Sequence, residues 1–243
     1  MARSHDPVQR TLLLIADISG YTDYMRTHRM SLAHAEVNMS RMLDRVIDAA
    51  PEFDLIEIEG DAAFMSRPAG ELVDGAAVSA ILEAASAMHR AFHVERQYVA
   101  KNLCPCKGCT EVDSLRLKFV AHVGEVATQT IRKRRKLVGI DVILVHRMLK
   151  NPVEIPEYVL LSEDLHLLRD SALPLPEHEV LQDLEGIGPK RAYFLDVADL
   201  DGSTLPAAPD PTVLARLGRT LTVAGSGMPY MLGLRRRRAA AVP

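Results

Sequence analysis

The sequence is short of the features by which a chain most readily declares its class. It has three cysteines, all within six positions at Cys104, Cys106 and Cys109. That is not the spread of half-cystines that staples a small secreted protein, and a reducing, cytoplasmic setting is expected. No uninterrupted apolar run reaches the roughly 18 residues that a membrane helix needs. Residues 1–10 are polar and do not read as a secretion signal. A formal net charge of −3 gives no general case for nucleic acid, although basic residues cluster at 132–136 and 235–238. Internal repeats are absent too. What is present is an ordinary globular balance, 48% hydrophobic and 25% charged over 243 residues, enough for one large domain or one domain with appendages.

Residues 12–18 form an apolar run, interrupted by Asp17, that leads into Ser19-Gly20-Tyr21-Thr22. Such a run reads as a strand buried on both faces. Asp17 lies where the strand surfaces, placed either to cap the following turn or to meet a ligand. Leu32, Ala35, Met39, Leu43, Val46 and Ile47 then recur at helical spacing, and Pro51 stops the helix predicted over 31–50. Residues 53–59 alternate as a strand, Gly60-Asp61 makes a tight hairpin turn with the usual order of its residues reversed, and 62–65 return. A long helix is expected over 71–99, with Val73, Ala77, Ile81, Ala84, Met88 and Phe92 on one face. Residues 115–123 alternate as a strand ending at Gly124-Glu125. A basic segment leads to Gly139, a helix at 141–150 closed by Pro152, and short strands at 159–161 and 192–197.

The order strand, helix, strand, strand, helix, strand is the βαββαβ core of a ferredoxin-like α+β fold, a mainly antiparallel sheet with helices packed on it. The domain is expected over 10–200, with a cysteine-rich insertion at 101–113. Beyond it, 201–243 reads as a basic and apolar tail, either an amphipathic segment for a membrane surface or partner, or a poorly ordered terminus.

Two further features have competing readings. Cys104, Cys106 and Cys109 have a spacing that suits structural zinc, with His93 or His89 as fourth ligand and His122 as a weaker candidate. The alternative is three unlinked thiols in a loop. The basic run at 132–136 is either an anion-binding element or a solvated hairpin.

Three separated pieces, in order, resemble the class III adenylyl and guanylyl cyclases. They are Ile15-Ala16-Asp17-Ile18-Ser19-Gly20-Tyr21-Thr22, then Ile58-Glu59-Gly60-Asp61. The third runs from Phe119 through Glu125 and resumes at Gly139-Ile140-Asp141-Val142-Ile143-Leu144-Val145-His146-Arg147. The resemblance spans roughly 10–198. It implies a homodimer that converts a purine nucleoside triphosphate to its cyclic form and pyrophosphate, with two Mg or Mn ions held by Asp17, Asp61 and the backbone carbonyl of Ile18. Glu57 and Lys136 fall at the positions that read the base. Glu57 leans towards guanine, because an ionised carboxylate only accepts hydrogen bonds, whereas Lys136 fits neither standard pair. Arg147 matches the family's transition-state arginine. The main departure is Ile143, where the family has an asparagine that donates to the ribose. Its loss implies weak turnover, or a nucleotide-binding or sensory domain without turnover, or a zinc-stapled interaction module.

Overall fold

A computed structural model of the chain describes residues 8–27, 32–70, 75–101, 111–132, 134–170, 178–200 and 212–231. The elements run β1 (Gln9–Ser19), α1 (Tyr21–Thr27), α2 (Leu32–Asp48), β2 (Asp54–Glu59), β3 (Ala62–Pro68), α3 (Ala76–Ala100), β4 (Arg116–Ile131), β5 (Arg134–Val138), α4 (Ile140–Arg147), β6 (Tyr158–Ser162), α5 (Glu163–His166), β7 (His178–Leu184), β8 (Gly188–Asp196) and α6 (Val213–Met231). The sheet order is β2-β3-β1-β4-β6-β8-β7, with β5 paired to β4 off that path. Every pair is antiparallel except β4 with β6. The expected α+β fold and its βαββαβ core are both present.

The central strand explains the architecture. Leu12, Leu14, Ala16 and Ile18 of β1 face a core shared with α2 and α3, while Leu13 and Ile15 face a second core with Phe64, Val120, Leu144 and Val145. All six β1 residues are essentially inaccessible. A strand covered by helices on both faces needs no polar alternation, which is why its sequence is a continuous apolar run.

Four local details go beyond the sequence expectation. Strand β4 does not end at Glu125 but continues to Ile131 and returns as β5, so the basic run takes the hairpin form expected as one of its alternatives, with Arg132 at its turn (φ +47°). Gly124 reads in sequence as a stop, yet it is a strand residue whose missing side chain leaves room for Asp141: a Cβ there would collide with the aspartate. The α1 and α5 elements were not anticipated. The stretch 213–231, expected either as an amphipathic segment or as a poorly ordered terminus, is helical: α6 packs on α2, and Arg216 Nε donates to the Lys101 carbonyl over 2.9 Å. No described helix is long and apolar enough to cross a membrane.

Candidate functional site

Register brings Asp17 and Asp61 together. Asp17 is opposite Ala62 of β3 on one side and Lys118 of β4 on the other. Glu59 pairs with Ala62, leaving Gly60-Asp61 as a two-residue hairpin loop. Gly60 has φ +69° and Asp61 has no positive φ, the pattern of a II′ turn, which wants glycine first. That accounts for the reversed Gly-Asp order. The Ile18 amide donates to the Asp61 carbonyl over 3.1 Å and ties the turn to the end of β1.

The electrostatics follow from this proximity. Burial, with the Asp17 charge beside it, holds the Asp61 carboxyl above its ordinary range, against the opposing pull of its own backbone hydrogen bond and Lys118. Two carboxylates at one turn, one of them held above its ordinary range partly by the other's charge, form a donor set suited to a hard divalent cation. On this test the residues fit the Mg or Mn ions that the resemblance implies. Lys118, which sequence reasoning missed, supplies a cation locally: its Nζ lies 3.1 Å from Asp17 Oδ2, and both side chains are mostly covered. A lysine between Leu117 and Phe119, in the alternating start of β4, was the available signal.

Glu57 and Lys136 also meet. Lys136 Nζ lies 3.2 Å from Glu57 Oε2 and 3.4 Å from Oε1, across an open cleft of about 540 Å³ lined by Asp54, Leu55, Ile56, Glu57, Arg135 and Lys136. Their juxtaposition depends on the β4–β5 hairpin, which returns to lie beside β2.

Arg147 stands apart from both pairs. Its guanidinium packs near Gly186 in the β7–β8 turn, and its buried Nη1 has no hydrogen-bond partner among the described residues. Ile143, one turn earlier on α4, is 47% exposed. His146, between them in sequence, turns to β2: its Nε2 lies 3.1 Å from Glu59 Oε1, and its ring meets Phe64 edge-on.

A buried relay fixes the N-terminal end of α4. His122 Nε2 lies 3.0 Å from Asp141 Oδ1, and His122 Nδ1 lies 2.7 Å from Ser162 Oγ. The other Asp141 oxygen accepts from the Glu125 amide over 2.7 Å, and Ser162 Oγ accepts from Leu165 N. His122 is therefore engaged within the core and not placed to serve a zinc site. Cys104, Cys106 and Cys109 lie outside the described residues. His93 contacts His89 and Glu157.

Comparison with solved structures places this architecture among nucleotidyl cyclase catalytic domains. The guanylyl cyclase Cya2 aligns with a TM-score of 0.60 at 16% identity, covering 84% of this chain and 99% of that one. The adenylyl cyclase CyaB from P. aeruginosa aligns at 0.58 and 16% identity, covering 84% and 98%. The guanylate cyclase domain of RhGC from Catenaria anguillulae, solved in complex with GTP, aligns at 0.54 and 17% identity, covering 77% and 96%. At such identities the likeness establishes the fold alone: the chain has the fold of these cyclase domains. In sequence, residues 39–158 match the family model "Protein of unknown function (DUF2652)". The "Uncharacterized protein Rv2561/Rv2562" of Mycobacterium tuberculosis is 35% identical over 199 residues, 82% of this chain and 91% of that protein. The chain belongs to the family of this mycobacterial protein.

Proposed function

We propose that the chain binds a purine nucleoside triphosphate together with divalent metal and converts it, slowly, to a cyclic nucleotide and pyrophosphate. The observation that carries this reading is the convergence of Asp17 and Asp61 at the end of the central strand. Metal ions there would supply Lewis-acid activation of the attacking ribose 3′-oxygen and neutralise phosphate charge. The chain's own residues do the rest. Asp17, Asp61 and the Ile18 carbonyl hold the cations, and Lys118 keeps the unliganded site from carrying two uncompensated charges. Glu57 and Lys136 line the cleft where a base would sit.

The active unit is a homodimer in this reading. Two features of the monomer support it. Arg147 has a buried guanidinium nitrogen without a partner among the described residues, a costly state that an anion would relieve. Leu55, Ile58, Val138, Ile140 and Ile143 are exposed apolar residues on β2, β5 and α4, the elements around the cleft, where a second copy would cover them.

A second reading, nucleotide binding without turnover, is favoured by Ile143. Its side chain has no donor to offer a ribose hydroxyl, and loss of one positioning donor commonly costs about 10²-fold or more in rate. One experiment separates the two: purified protein incubated with ATP or GTP and a Mn²⁺ titration, with cyclic product and nucleotide binding read in parallel. Product that disappears in Asp17→Ala supports the cyclase. Binding without product supports the second reading, and neither binding nor product removes both.

A further inference from the structure

On the α2 and α3 face of the sheet, opposite α4, three ligand-type side chains converge away from the carboxylate pair. His89 and His93 are four residues apart on α3 and therefore share a helix face; their ring centroids are 4.2 Å apart. Glu157 immediately precedes β6. His93 Nε2 lies 2.8 Å from Glu157 Oε1, and His89 Nε2 lies 3.2 Å from Oε2. All three ligand atoms fall within 4.8 Å of one another. We propose that His89, His93 and Glu157 form a further divalent-metal site, of the two-imidazole, one-carboxylate type that takes zinc.

Geometry supports this assignment. Donors around a tetrahedral zinc with bonds of about 2.0–2.2 Å are roughly 3.3–3.6 Å apart. The two histidine–Glu157 separations, 2.8 and 3.2 Å, fall just short of that range, so a small outward shift of the side chains would admit the ion. The carboxylate is held in advance: Oε1 also accepts from the Leu117 amide over 3.0 Å, and the Glu157 carbonyl accepts from Val197 N. Both imidazoles are more than nine-tenths buried, at 6% and 3% exposure, and each keeps Nδ1 without a partner among the described residues. Hydrogen bonding alone thus leaves the pair incompletely satisfied. Burial keeps His93 below its ordinary value, outweighing the contrary pull of Glu157. Burial would raise the Glu157 carboxyl, but the hydrogen bonds from His89, His93 and the Leu117 amide overcome it and hold the group well below its usual range. Arg96, one turn beyond His93, directs its guanidinium to the carbonyls of Leu115 and Asp113 and not to Glu157. An ion here would fasten α3 to the segments that open β4 and β6, a structural role.

The test uses the full chain carrying Asp17→Asn and Asp61→Asn, which removes the other carboxylate pair. Metal-stripped protein is titrated with Zn²⁺ against a chromophoric chelator. The expected result is one zinc per chain, bound at least about 10²-fold more weakly in His93→Ala and in Glu157→Gln, since even supporting residues outside a metal's ligand set cost 10–100-fold. Cys104→Ser/Cys106→Ser/Cys109→Ser should bind zinc as tightly as its parent. X-ray absorption of the zinc-loaded parent should show nitrogen and oxygen neighbours without sulfur, which decides the matter even if the histidine variant fails to fold. Absence of zinc binding, loss of binding in the serine variant, or a sulfur shell would each overturn the proposal.

Discussion

Lys118 Nζ and Asp17 Oδ2, on directly opposed residues of β4 and β1, are joined by a 3.1 Å ion pair at the mouth of the carboxylate pair. The lysine occupies electrostatically the role that a metal would take. Lys118→Met should therefore raise the affinity of nucleotide-free protein for Mn²⁺ by about 3–10-fold, the scale of a partly covered ion pair, as read by paramagnetic resonance titration. Unchanged or weaker Mn²⁺ binding would show that Lys118 does not compete for Asp17.

In the proposed cyclase reading, Ile143 is the clearest obstacle to turnover. Restoring a donor with Ile143→Asn should increase cyclic product by about 10-fold or more, measured at saturating Mn²⁺ and nucleotide. Because the side chain is 47% exposed, the exchange should leave thermal stability nearly unchanged. No gain in rate would mean that the defect lies elsewhere.

Glu57 is engaged by Lys136, which competes with any guanine donor for its oxygens. Lys136→Ala should release them and shift the ratio of GTP to ATP affinity towards GTP by several-fold, in competition calorimetry. A shift towards ATP would contradict the assignment of Glu57 to the base.

Asp141 accepts from both His122 and the Glu125 amide. Asp141→Ala leaves the buried His122 Nε2 without its acceptor and frees the Glu125 amide to solvent, for an expected loss of about 1–3 kcal/mol in denaturant unfolding. Gly124→Ala should cost about 1–3 kcal/mol by overpacking, because its new methyl would meet the backbone-anchored start of the Asp141 side chain.

Acid should destabilise the metal-free protein in two stages. His93 titrates below its ordinary 6.5 when folded, so the unfolded chain binds the extra proton first. Stability then falls as pH drops from about 6.5 towards the depressed folded value. Glu157, also depressed, adds a second loss of the same sign below its ordinary 4.5. Melting temperature against pH should show the first decline in the parent and a flatter profile between pH 7 and 5 in His93→Gln.

The elements that could be read in advance were those whose signal is local. The two-sided burial of β1, the amphipathic α2 and α3, and the Gly-Asp hairpin each follow from side-chain pattern or backbone preference within a few residues. The ends were less legible. Gly124 looked like a terminator because glycine is more often a turn than a strand residue, and the reason for it lies in Asp141, 17 positions away. The helix at 213–231 was hidden by its glycines and by an apolar face whose partner, α2, is distant in sequence.

By itself, the sequence determined the α+β class and the candidacy of Asp17, Asp61, Glu57, Lys136 and Arg147, since strand pattern, turn chemistry and motif order are written along the chain. Only tertiary structure decided which of these residues meet. Register put Lys118 beside Asp17, the β4–β5 hairpin put Lys136 on Glu57, and packing turned Arg147 towards Gly186. It also set Glu157 between two histidines 64 and 68 positions earlier. Contacts at such separations are fixed by how the sheet and helices close around their cores, and no local pattern encodes them.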